Sequence, residues 1–368
     1  MIGLVFQWRH LRTQIRYFRK YRQNIGDISA IYLLGDISEI FLKMASGDKI
    51  SPIHKYHNGN QKYHSFNKIS RILVPCKIPH QLGNLSKLHY LDVGNSYYNH
   101  RNSLNFLDMT NVNLSKASNW LQVINKFHSL SFLNLSHNNF TSPIPDWIYH
   151  ITSLEHLDLG SLNIESNNFH GMLPNDIGNL TSITYLDLSY NALEGDVLRS
   201  LGNLCTFQLS NLSYDRPRKS LEFLSLRGNK LSGSFPDTLG ECKSLEHLDL
   251  GINRLSGYLP SEIGQLKSLS YLSIDRNLFS GQIPISLGGI SSLSYLNIRE
   301  NFFEGIMSEK HLANLTSLEQ LDASSNLLTL QVSSNWTPPF QLTKLDLGSC
   351  LLGPQFLHGF KHVSIWKS

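Results

Sequence analysis

Cysteine is scarce in this chain. Its 368 residues include four cysteines, and no two of them have the CxxC spacing that is typical of zinc sites or redox centres. Small domains that are held together by disulfides contain far more cysteine for their length. We therefore expect cysteine to determine neither the cellular compartment nor the chemistry of the protein. The four residues are Cys76, Cys205, Cys242 and Cys350.

Long apolar runs are also absent. A membrane-spanning helix needs about 20 consecutive apolar residues, whereas the best stretch, residues 31–42, is interrupted by Asp36 and Glu39. A secretory signal peptide begins with basic residues and continues with a longer apolar core. Here a short apolar start is followed at once by Arg9, Arg12 and Arg16. The sequence therefore predicts neither a membrane span nor a signal peptide.

No single sign of charge dominates the chain as a whole. The net charge of +4 is too slight over this length to indicate nucleic-acid binding. Residues 1–80 nevertheless carry +9 and the remainder −5. Residues 1–75 are predicted to be a basic segment outside the repeats, disordered or partly helical. Arginines and apolar residues recur in it at helical spacing, which favours either a membrane-binding or targeting helix or unselected sequence joined to the repeats.

Catalytic and metal-binding motifs are missing. The sequence contains no HExxH, GxSxG or GxxxxGK[ST] motif and no set of kinase motifs, so we expect no enzyme. The only histidine cluster is His54, His57 and His64, and no carboxylate or cysteine in phase with it completes a metal-ligand set. We therefore predict neither a metal site nor a cofactor.

What the sequence has in abundance is a repeat. From about residue 82 the pattern LxxLxxLxLxxNxLxGxxP returns along the chain, mostly with a period of 24 residues. In the central LxL part alternate side chains face opposite sides, so each repeat should form a short strand with its leucines pointing inward. Parallel stacking of such strands produces a solenoid. We identify eleven repeats, anchored at Leu91, Leu107, Leu133, Leu162, Leu186, Leu224, Leu248, Leu272, Leu296, Leu321 and Leu345.

An asparagine recurs in phase after most of these strands. Its amide can both donate and accept hydrogen bonds, so it should bond buried backbone groups that the turn leaves open. Cys350 and Ser96 replace it in two outlying repeats. A glycine and a proline usually follow, and they are expected to shape the turns on the convex side. The asparagines are Asn138, Asn167, Asn191, Asn229, Asn253, Asn277, Asn301 and Asn326.

This pattern resembles the plant-specific class of extracellular leucine-rich repeats found in receptor kinases and receptor-like proteins. The resemblance covers roughly residues 78–353. The stretches LDLSYNALEG from Leu186 and LNIRENFFEG from Leu296 are most similar to receptor-like proteins of pathogen resistance. The fold class is therefore expected to be an α/β repeat solenoid. It would be a curved leucine-rich-repeat horseshoe with parallel concave strands and irregular or short helical convex turns.

The domain organisation follows from the extent of the repeats. Residues 76–353 are predicted to form the solenoid, with a polar loop at 205–220 and a tail at 354–368. The ectodomains that the chain resembles usually carry a signal peptide, cysteine-paired caps and a membrane helix, and none of these is recognisable in this sequence. The resemblance therefore predicts a truncated or rearranged relative.

Binding is expected on the concave face, where parallel strands present side chains at one height. The residue before each anchor leucine is often aromatic, which favours either partner binding or cross-strand stacking. The residue following each strand is small in most repeats but charged in three of them. We therefore predict a ligand-binding patch; the alternative is a surface ion-pair network in which Asp275 pairs with Arg299. The patch consists of Arg227, Tyr271, Asp275, Arg276, Tyr295, Arg299 and Glu300.

Eight N-x-[ST] sequons occur in the chain, a density that favours an extracellular origin. Asn134 lies on a predicted concave strand, where a glycan would block the face, and we do not count it as a site. The predicted glycosylation sites are Asn84, Asn113, Asn139, Asn179, Asn211, Asn314 and Asn335.

By resemblance, the expected function is non-catalytic recognition. The chain would form the ligand-sensing ectodomain of a plant receptor-like protein in defence signalling, at the extracellular face of the plasma membrane. It would bind a peptide, protein or glycan ligand, pass the event to a partner receptor kinase and bind no nucleic acid. Two alternatives are a secreted leucine-rich-repeat enzyme inhibitor, similar to polygalacturonase inhibitors, and a degenerate fragment that does not signal.

Overall fold

The computed structural model describes residues 90–92, 106–110, 129–161, 167–197, 199–205 and 220–353, with only the backbone described at 90–92 and 199–200. Several predictions lie outside these residues. They are the basic segment 1–75, the tail 354–368, the polar loop between residues 206 and 219, and the glycosylation sites Asn84, Asn113 and Asn211. The chain divides into two compact units, residues 1–130 and 131–368.

The first unit contributes two described strands. Strand β1 (Tyr90–Asp92) pairs in parallel with strand β2 (Phe106–Asp108), and Leu91 lies opposite Leu107. Leu107 is buried. Both anchor leucines therefore occupy the central position of a short strand, as the repeat pattern predicts.

In the second unit, one short strand from each repeat joins a parallel sheet, the inner sheet. Each strand has three residues, and its central leucine is fully buried, as at Leu248, Leu272 and Leu296. These three leucines lie opposite one another in register, so every repeat packs its core against the next. Burying one such side chain stabilises the fold by about 1.5–3 kcal/mol. The strands are β3 (Phe132–Asn134), β4 (His156–Asp158), β6 (Tyr185–Asp187), β8 (Phe223–Ser225), β10 (His247–Asp249), β12 (Tyr271–Ser273), β14 (Tyr295–Asn297), β16 (Gln320–Asp322) and β18 (Lys344–Asp346).

A second strand follows in most repeats and joins one of two smaller parallel arrays, the outer strands. The inward side chains of these strands, such as Phe279 and Phe303, are fully buried beneath them. The first array contains β5 (His170–Met172), β7 (Ala192–Asp196) and β9 (Lys230–Ser232). The second contains β11 (Ser256–Gly257), β13 (Leu278–Gly281), β15 (Phe302–Ser308), β17 (Leu327–Gln331) and β19 (Leu351–Leu352).

Short 3₁₀ helices complete the convex side, which confirms the predicted short helical turns. A proline directly precedes five of them, as Pro260 precedes Ser261–Gln265. Proline suits this place because its φ is already fixed and the first N–H of a helix has no partner inside the helix. Among the described residues, no helix is both long and apolar enough to cross a membrane. The helices are Asp146–His150, Asn175–Asn179, Arg199–Leu204, Asp237–Glu241, Ser261–Gln265, Ile285–Gly289 and Glu309–His311.

One predicted anchor is wrong. The strand of the fourth repeat is β4, so its anchor is Leu157 and not Leu162, and residues 162–166 lie outside the described part. Leu157 lies opposite Leu133 on one side and Leu186 on the other. The five extra residues therefore follow the strand instead of preceding it. Both leucines match the repeat pattern, and stacking against the neighbouring repeats selects the first.

The asparagines recurring after the strands, the ladder asparagines, bond the backbone as predicted. The amide nitrogen of Asn277 donates to the carbonyl oxygens of Leu250, Ile274 and Asp275 at 3.0, 3.2 and 3.2 Å. Its oxygen accepts from the backbone N–H of Leu255 at 2.9 Å. Two of these four groups belong to the preceding repeat, so the side chain joins consecutive repeats. Cys350 replaces the asparagine in kind, because its thiol donates to the carbonyl of Ala323 at 3.3 Å.

The turn around each ladder asparagine needs unusual backbone angles. The residue before it is left-handed in most repeats, with φ of 54° at Ile252 and 53° at Arg276. A β-branched residue such as Ile252 is strained in this region. Four residues after Asn277, Gly281 has φ of 74° and lies directly beneath the ring of Tyr258. This position therefore requires glycine for its angle and for its lack of a Cβ.

The structure shows a role for cysteine that the sequence analysis did not predict. Cys205 and Cys242 form a disulfide across a separation of 37 residues. Each follows a convex 3₁₀ helix, so the bond links consecutive repeats. A cross-link of this span stabilises a fold by about 3–4 kcal/mol in the chain-entropy model. The long gap between the two cysteines hid the pair, because the inserted loop separates residues that stacking brings together.

We predict that Asn277→Ala lowers the free energy of unfolding by about 2–4 kcal/mol, because the buried N–H of Leu255 and neighbouring carbonyls lose their partner. Urea denaturation followed by circular dichroism measures the change. The control is Gln331→Ala, which removes an amide from an exposed side chain and should change stability by less than about 0.5 kcal/mol. Equal effects of the two substitutions would show that the ladder asparagine does not hold the repeats together.

Candidate functional site

The predicted patch spans four consecutive repeats of the inner sheet, and its residues belong to three of them, where they lie on the strands or on the turns that follow. Its seven residues do not form one group. The structure separates five of them into two clusters and places Tyr271 and Tyr295 in a row of stacked rings. These three arrangements differ in burial, and burial decides which side chains a ligand can reach.

The first cluster, the buried arginine network, is built around Arg227. The guanidinium donates through two nitrogens to the two carboxylate oxygens of Asp275, at 2.7 and 3.0 Å. It also donates to Asp249 at 3.1 Å, to Ser273 at 3.3 Å and to the hydroxyl of Tyr190 at 3.1 Å. Two-pronged pairing of this kind is the strongest that arginine forms with a carboxylate. All three guanidinium nitrogens of Arg227 therefore donate to groups within the protein.

A glycine makes this network possible. Arg227 and Asp275 are separated by two repeats, and Gly251 holds the equivalent position in the repeat between them. A Cβ at Gly251 would overlap both the guanidinium of Arg227 and the carboxylate of Asp275. Because Gly251 has no side chain, Arg227 can extend past the intervening repeat and reach Asp275 in the repeat after it.

The network leaves one carboxylate in excess. Burial acts to raise the pKa of Asp275, but its hydrogen bonds with Arg227 and the arginine charge outweigh burial, and the pKa lies below its usual value. Burial raises the pKa of Asp249, and the nearby charge of Asp275 adds to this against the opposing effect of Arg227. Burial, together with these two carboxylates, raises the pKa of Tyr295 to about 12. The network is therefore a structural group with Asp275 ionised.

The second cluster, the exposed arginine cluster, consists of Arg276, Arg299 and Glu300. The Nε of Arg276 donates to one carboxylate oxygen of Glu300 at 3.0 Å, and the Nε of Arg299 donates to the other at 3.0 Å. The side chains are 49%, 33% and 38% exposed, respectively. Two guanidinium groups therefore share one carboxylate on an accessible surface and leave one positive charge in excess.

The predicted pairing of Asp275 with Arg299 is wrong. Asp275 turns to Arg227, and Arg299 turns to its own neighbour Glu300. The alternative of a self-satisfied ion-pair network therefore describes Arg227 and Asp275 well, although with a different partner. It describes the exposed arginine cluster only in part, because charge and surface both remain available there.

The aromatic column forms a continuous stack. Successive rings lie 4.1–4.3 Å apart with nearly parallel planes. Each ring comes from the strand next to its neighbour's, so the stack stabilises the inner sheet across six intervals. The predicted cross-strand stacking is confirmed. The rings belong to Phe132, His156, Tyr185, Phe223, His247, Tyr271 and Tyr295.

Burial changes the chemistry of one of the two histidines in this stack. His156 is buried, and desolvation lowers the pKa of its imidazole to about 3. The ring therefore remains neutral at physiological pH and behaves as an aromatic residue between Phe132 and Tyr185.

Sequence reasoning missed three members of the buried arginine network. Asp249 matches the family consensus and so gives no sign of specificity, and Tyr190 and Ser273 match no pattern that points to a site. The consensus aspartate does have a structural role: the carboxylate of Asp249 accepts a hydrogen bond from the backbone N–H of Gly251 at 2.9 Å. The signal available in the sequence is the 24-residue phase, which aligns Arg227, Gly251 and Asp275.

The predicted glycosylation sites within the described residues are accessible. Asn139, Asn179, Asn314 and Asn335 are all exposed. Asn134 is half-buried, and its amide donates to Asp158 at 3.2 Å, which agrees with leaving it out. In the part of the chain that the structure describes, no group of three or more His, Cys, Asp or Glu side chains could hold a metal ion.

Comparison with known proteins identifies the repeats. One leucine-rich-repeat family model matches residues 219–279, and another matches 129–151 and 182–204. The receptor-like protein EIX1 of Solanum lycopersicum is 56% identical over 52 residues, which are 14% of this chain and 5% of that protein. The receptor-like protein EIX2 of the same plant is 50% identical with the same coverage. The chain therefore matches only a small part of the length of these relatives.

Solved structures share the fold over a longer stretch. A TDR receptor is 28% identical with a TM-score of 0.57, and the alignment covers 77% of this chain and 47% of that receptor. The Arabidopsis receptor kinase HAESA, solved with the peptide hormone IDA and the co-receptor SERK1, is 24% identical with a TM-score of 0.59. That alignment covers 78% of this chain and 52% of the HAESA chain in that structure. At this identity the second similarity concerns the fold alone.

We predict that Arg227→Met lowers the free energy of unfolding at pH 7 by about 3–5 kcal/mol, because two buried carboxylates lose their counter-charge. Since the pKa of Asp275 is lowered by folding, its contribution is present above about pH 4 and is lost below it, so the deficit should shrink in acid. Urea denaturation at pH 7 and at a pH below about 4 tests this. Arg299→Met, at an exposed pair, should cost less than about 1 kcal/mol. A similar cost for both variants would contradict the division into a buried network and an exposed cluster.

We predict that buried His156 makes the fold sensitive to acid. The unfolded imidazole binds a proton below about pH 6.5, whereas the folded one does so only near pH 3. Stability is therefore complete above pH 6.5 and should fall by about 2–3 kcal/mol between pH 7 and pH 4.5 on account of this residue. His156→Phe should keep the stack and reduce that loss, as measured by urea denaturation at the two pH values. Phe132→Leu weakens the same stack without removing an ionisable group, and it should leave the loss unchanged.

Proposed function

Because the chain carries leucine-rich repeats of the plant receptor-like type, we propose that it is a non-catalytic ligand-sensing module of an extracellular receptor-like protein in defence signalling. The observation that carries this proposal is the exposed arginine cluster. It presents charge that the protein does not neutralise internally, beside a rigid aromatic stack on the concave face. A ligand would gain charge-assisted hydrogen bonds there without first having to order the surface.

The buried arginine network has a different part in this function. Arg227, Tyr271 and Asp275 belong to the originally predicted patch, yet their polar groups bond one another or lie in the stack. We assign them a supporting role: they stabilise the strands and turns that position Arg276, Arg299 and Glu300. The proposed contact residues are therefore these three together with the half-buried Tyr295.

Two observations support an extracellular location for this module. The disulfide between Cys205 and Cys242 is of a kind that persists in oxidising compartments. The exposed sequons at Asn139, Asn179, Asn314 and Asn335 would accept glycans in a secreted protein. These features and the receptor-like relatives together support the proposed placement at the cell surface.

The partners belong to the proposal as well. We infer that the ligand is a peptide, protein or glycan with an acidic group, because the exposed arginine cluster has one positive charge in excess. Signalling would pass through a partner receptor kinase. The defence role rests on the similarity to EIX1 and EIX2 over 52 residues.

The test uses the full chain, secreted from cultured plant cells behind an added signal peptide. Its thermal unfolding is measured with extracellular fluid from infected plant tissue, separated into peptide, protein and oligosaccharide fractions. A ligand present at about 100 times its Kd stabilises the folded state by about 2.7 kcal/mol. We expect one fraction to raise the unfolding temperature of the wild type, and the identity of that fraction gives the class of ligand.

Variants locate the binding surface. Joint replacement of Arg276, Arg299 and Glu300 by alanine should abolish the stabilisation. Arg254→Ala removes an exposed cation from the neighbouring repeat and should leave it intact. If no fraction stabilises the wild type, or if the triple variant is stabilised equally, the proposed site is wrong.

A further inference from the structure

The outward side of the outer strands β13, β15 and β17, together with the residue that follows β11, carries a group of large apolar side chains, the outer patch. Their exposure ranges from 48% at Leu278 to 73% at Tyr258. Single exposed apolar residues are ordinary on protein surfaces, whereas groups of them mark interaction sites. The outer patch consists of Tyr258, Leu278, Phe302, Ile306 and Leu327.

Strand pairing places these side chains side by side. Phe302 and Ile306 are two residues either side of Glu304 on strand β15, so all three point outward. In the parallel register, Leu327 of strand β17 lies directly opposite Glu304. Strands in a sheet are about 4.8 Å apart, so these side chains form one continuous surface.

The remaining members extend the surface toward the preceding repeats. Ser280 lies opposite Phe302, and Leu278 is two residues before Ser280 on the same strand. Leu278 is therefore the diagonal neighbour of Phe302, within reach of an aromatic side chain. The ring of Tyr258 covers Gly281, the residue that follows Ser280.

The solenoid itself does not require apolar residues at these positions. Its core uses the inward side chains of the same strands, such as Phe279, Phe303 and Leu328, which are fully or almost fully buried. In the two preceding repeats, the position equivalent to Leu278 holds the exposed cations Lys230 and Arg254. The change from cations to apolar residues therefore alters the surface of the solenoid and leaves its core packing the same.

A single charge lies within the outer patch. Glu304 is exposed and has apolar neighbours along its own strand and on strand β17. Among the ion pairs of the described residues, none involves Glu304. A carboxylate surrounded by apolar surface is complementary to a partner segment in which a cationic side chain lies between apolar residues.

We propose that the outer patch docks a second, different protein through a segment that presents a Lys or Arg side chain between large apolar residues. A second copy of this chain fits poorly, because a two-fold contact centred on the patch would bring two Glu304 carboxylates together. None of the eight sequons falls between residues 212 and 313, so strands β11, β13 and β15 carry no glycan acceptor. This surface is distinct from the concave face and does not depend on the function proposed there.

The test is selection of a phage-displayed random peptide library on the full secreted chain. Counter-selection uses a variant carrying Phe302→Ser and Leu327→Ser, two exposed positions whose change should leave folding intact, as thermal unfolding checks. We expect selected peptides to contain Lys or Arg flanked by large apolar residues. Their Kd for the double variant should be at least about tenfold higher than for the wild type, as for loss of interface hot spots.

Two further variants make the result specific. Met172→Ser removes an equally exposed apolar side chain from strand β5, outside the outer patch, and should leave peptide binding unchanged. Glu304→Gln should weaken binding of the cationic peptides. Replacing the Lys or Arg of these peptides by Gln should then remove the difference in affinity between the wild type and the Glu304→Gln variant.

The proposal is overturned by any of three results. The selected peptides could bind the double variant as tightly as the wild type, they could be acidic, or sedimentation equilibrium could show a dimer of the wild type that dissociates in the double variant. The last outcome would assign the patch to self-association. None of these results would affect the test of the exposed arginine cluster, which uses different residues and a different readout.

Discussion

The hydrogen bonds of the ladder asparagines are the interaction on which the rest of this structure depends. A tight turn after every inner strand leaves peptide groups inside the core, and each unbonded group would cost about 1–3 kcal/mol. Asn277 satisfies groups in its own repeat and in the preceding one, so the same side chain closes the turn and fixes the distance between repeats. Because neighbouring strands pair in register, residues in equal phase form columns along the solenoid.

The columns decide which charges the protein neutralises and which it leaves accessible. Arg227 and Asp275 are 48 residues apart in sequence, yet they lie two repeats apart in one column, and the absent side chain of Gly251 lets them meet. One repeat further, the same column holds Arg299. Its partner is Glu300, the next residue in the sequence, so this pair does not reach across a repeat. The chemistry of the two arginines is the same. Burial alone makes the first a structural group and the second a candidate contact.

The sequence predicts those features that depend on one repeat or on its period. Strand positions, the bonds of the ladder asparagines and the aromatic stack all follow from phase, because every unit repeats the same local contacts. The repeat period gave the wrong anchor where its length changes. Leu157 and Leu162 both fit the strand pattern, and the pairing of Leu157 with Leu133 and Leu186 in the neighbouring strands decides between them. The repeat period also gave the wrong partner for Asp275, because pairing with Arg227 depends on how far an arginine side chain extends across two repeats. The disulfide was hidden for a related reason, because the inserted loop obscures the closeness of Cys205 and Cys242.

A stacked repeat allows its faces to change independently. Stability in such a protein is close to a sum of repeat and neighbour terms, and substitutions without shared partners are nearly additive. Phe303 contributes to that sum because it is buried, whereas its neighbour Phe302 contributes little because it points to solvent. Exposed residues on the concave face and on the outer strands can therefore be chosen for what they contact without weakening the solenoid. Arg299 and Phe302, on different faces of one repeat, are then free to serve a ligand and a protein partner separately.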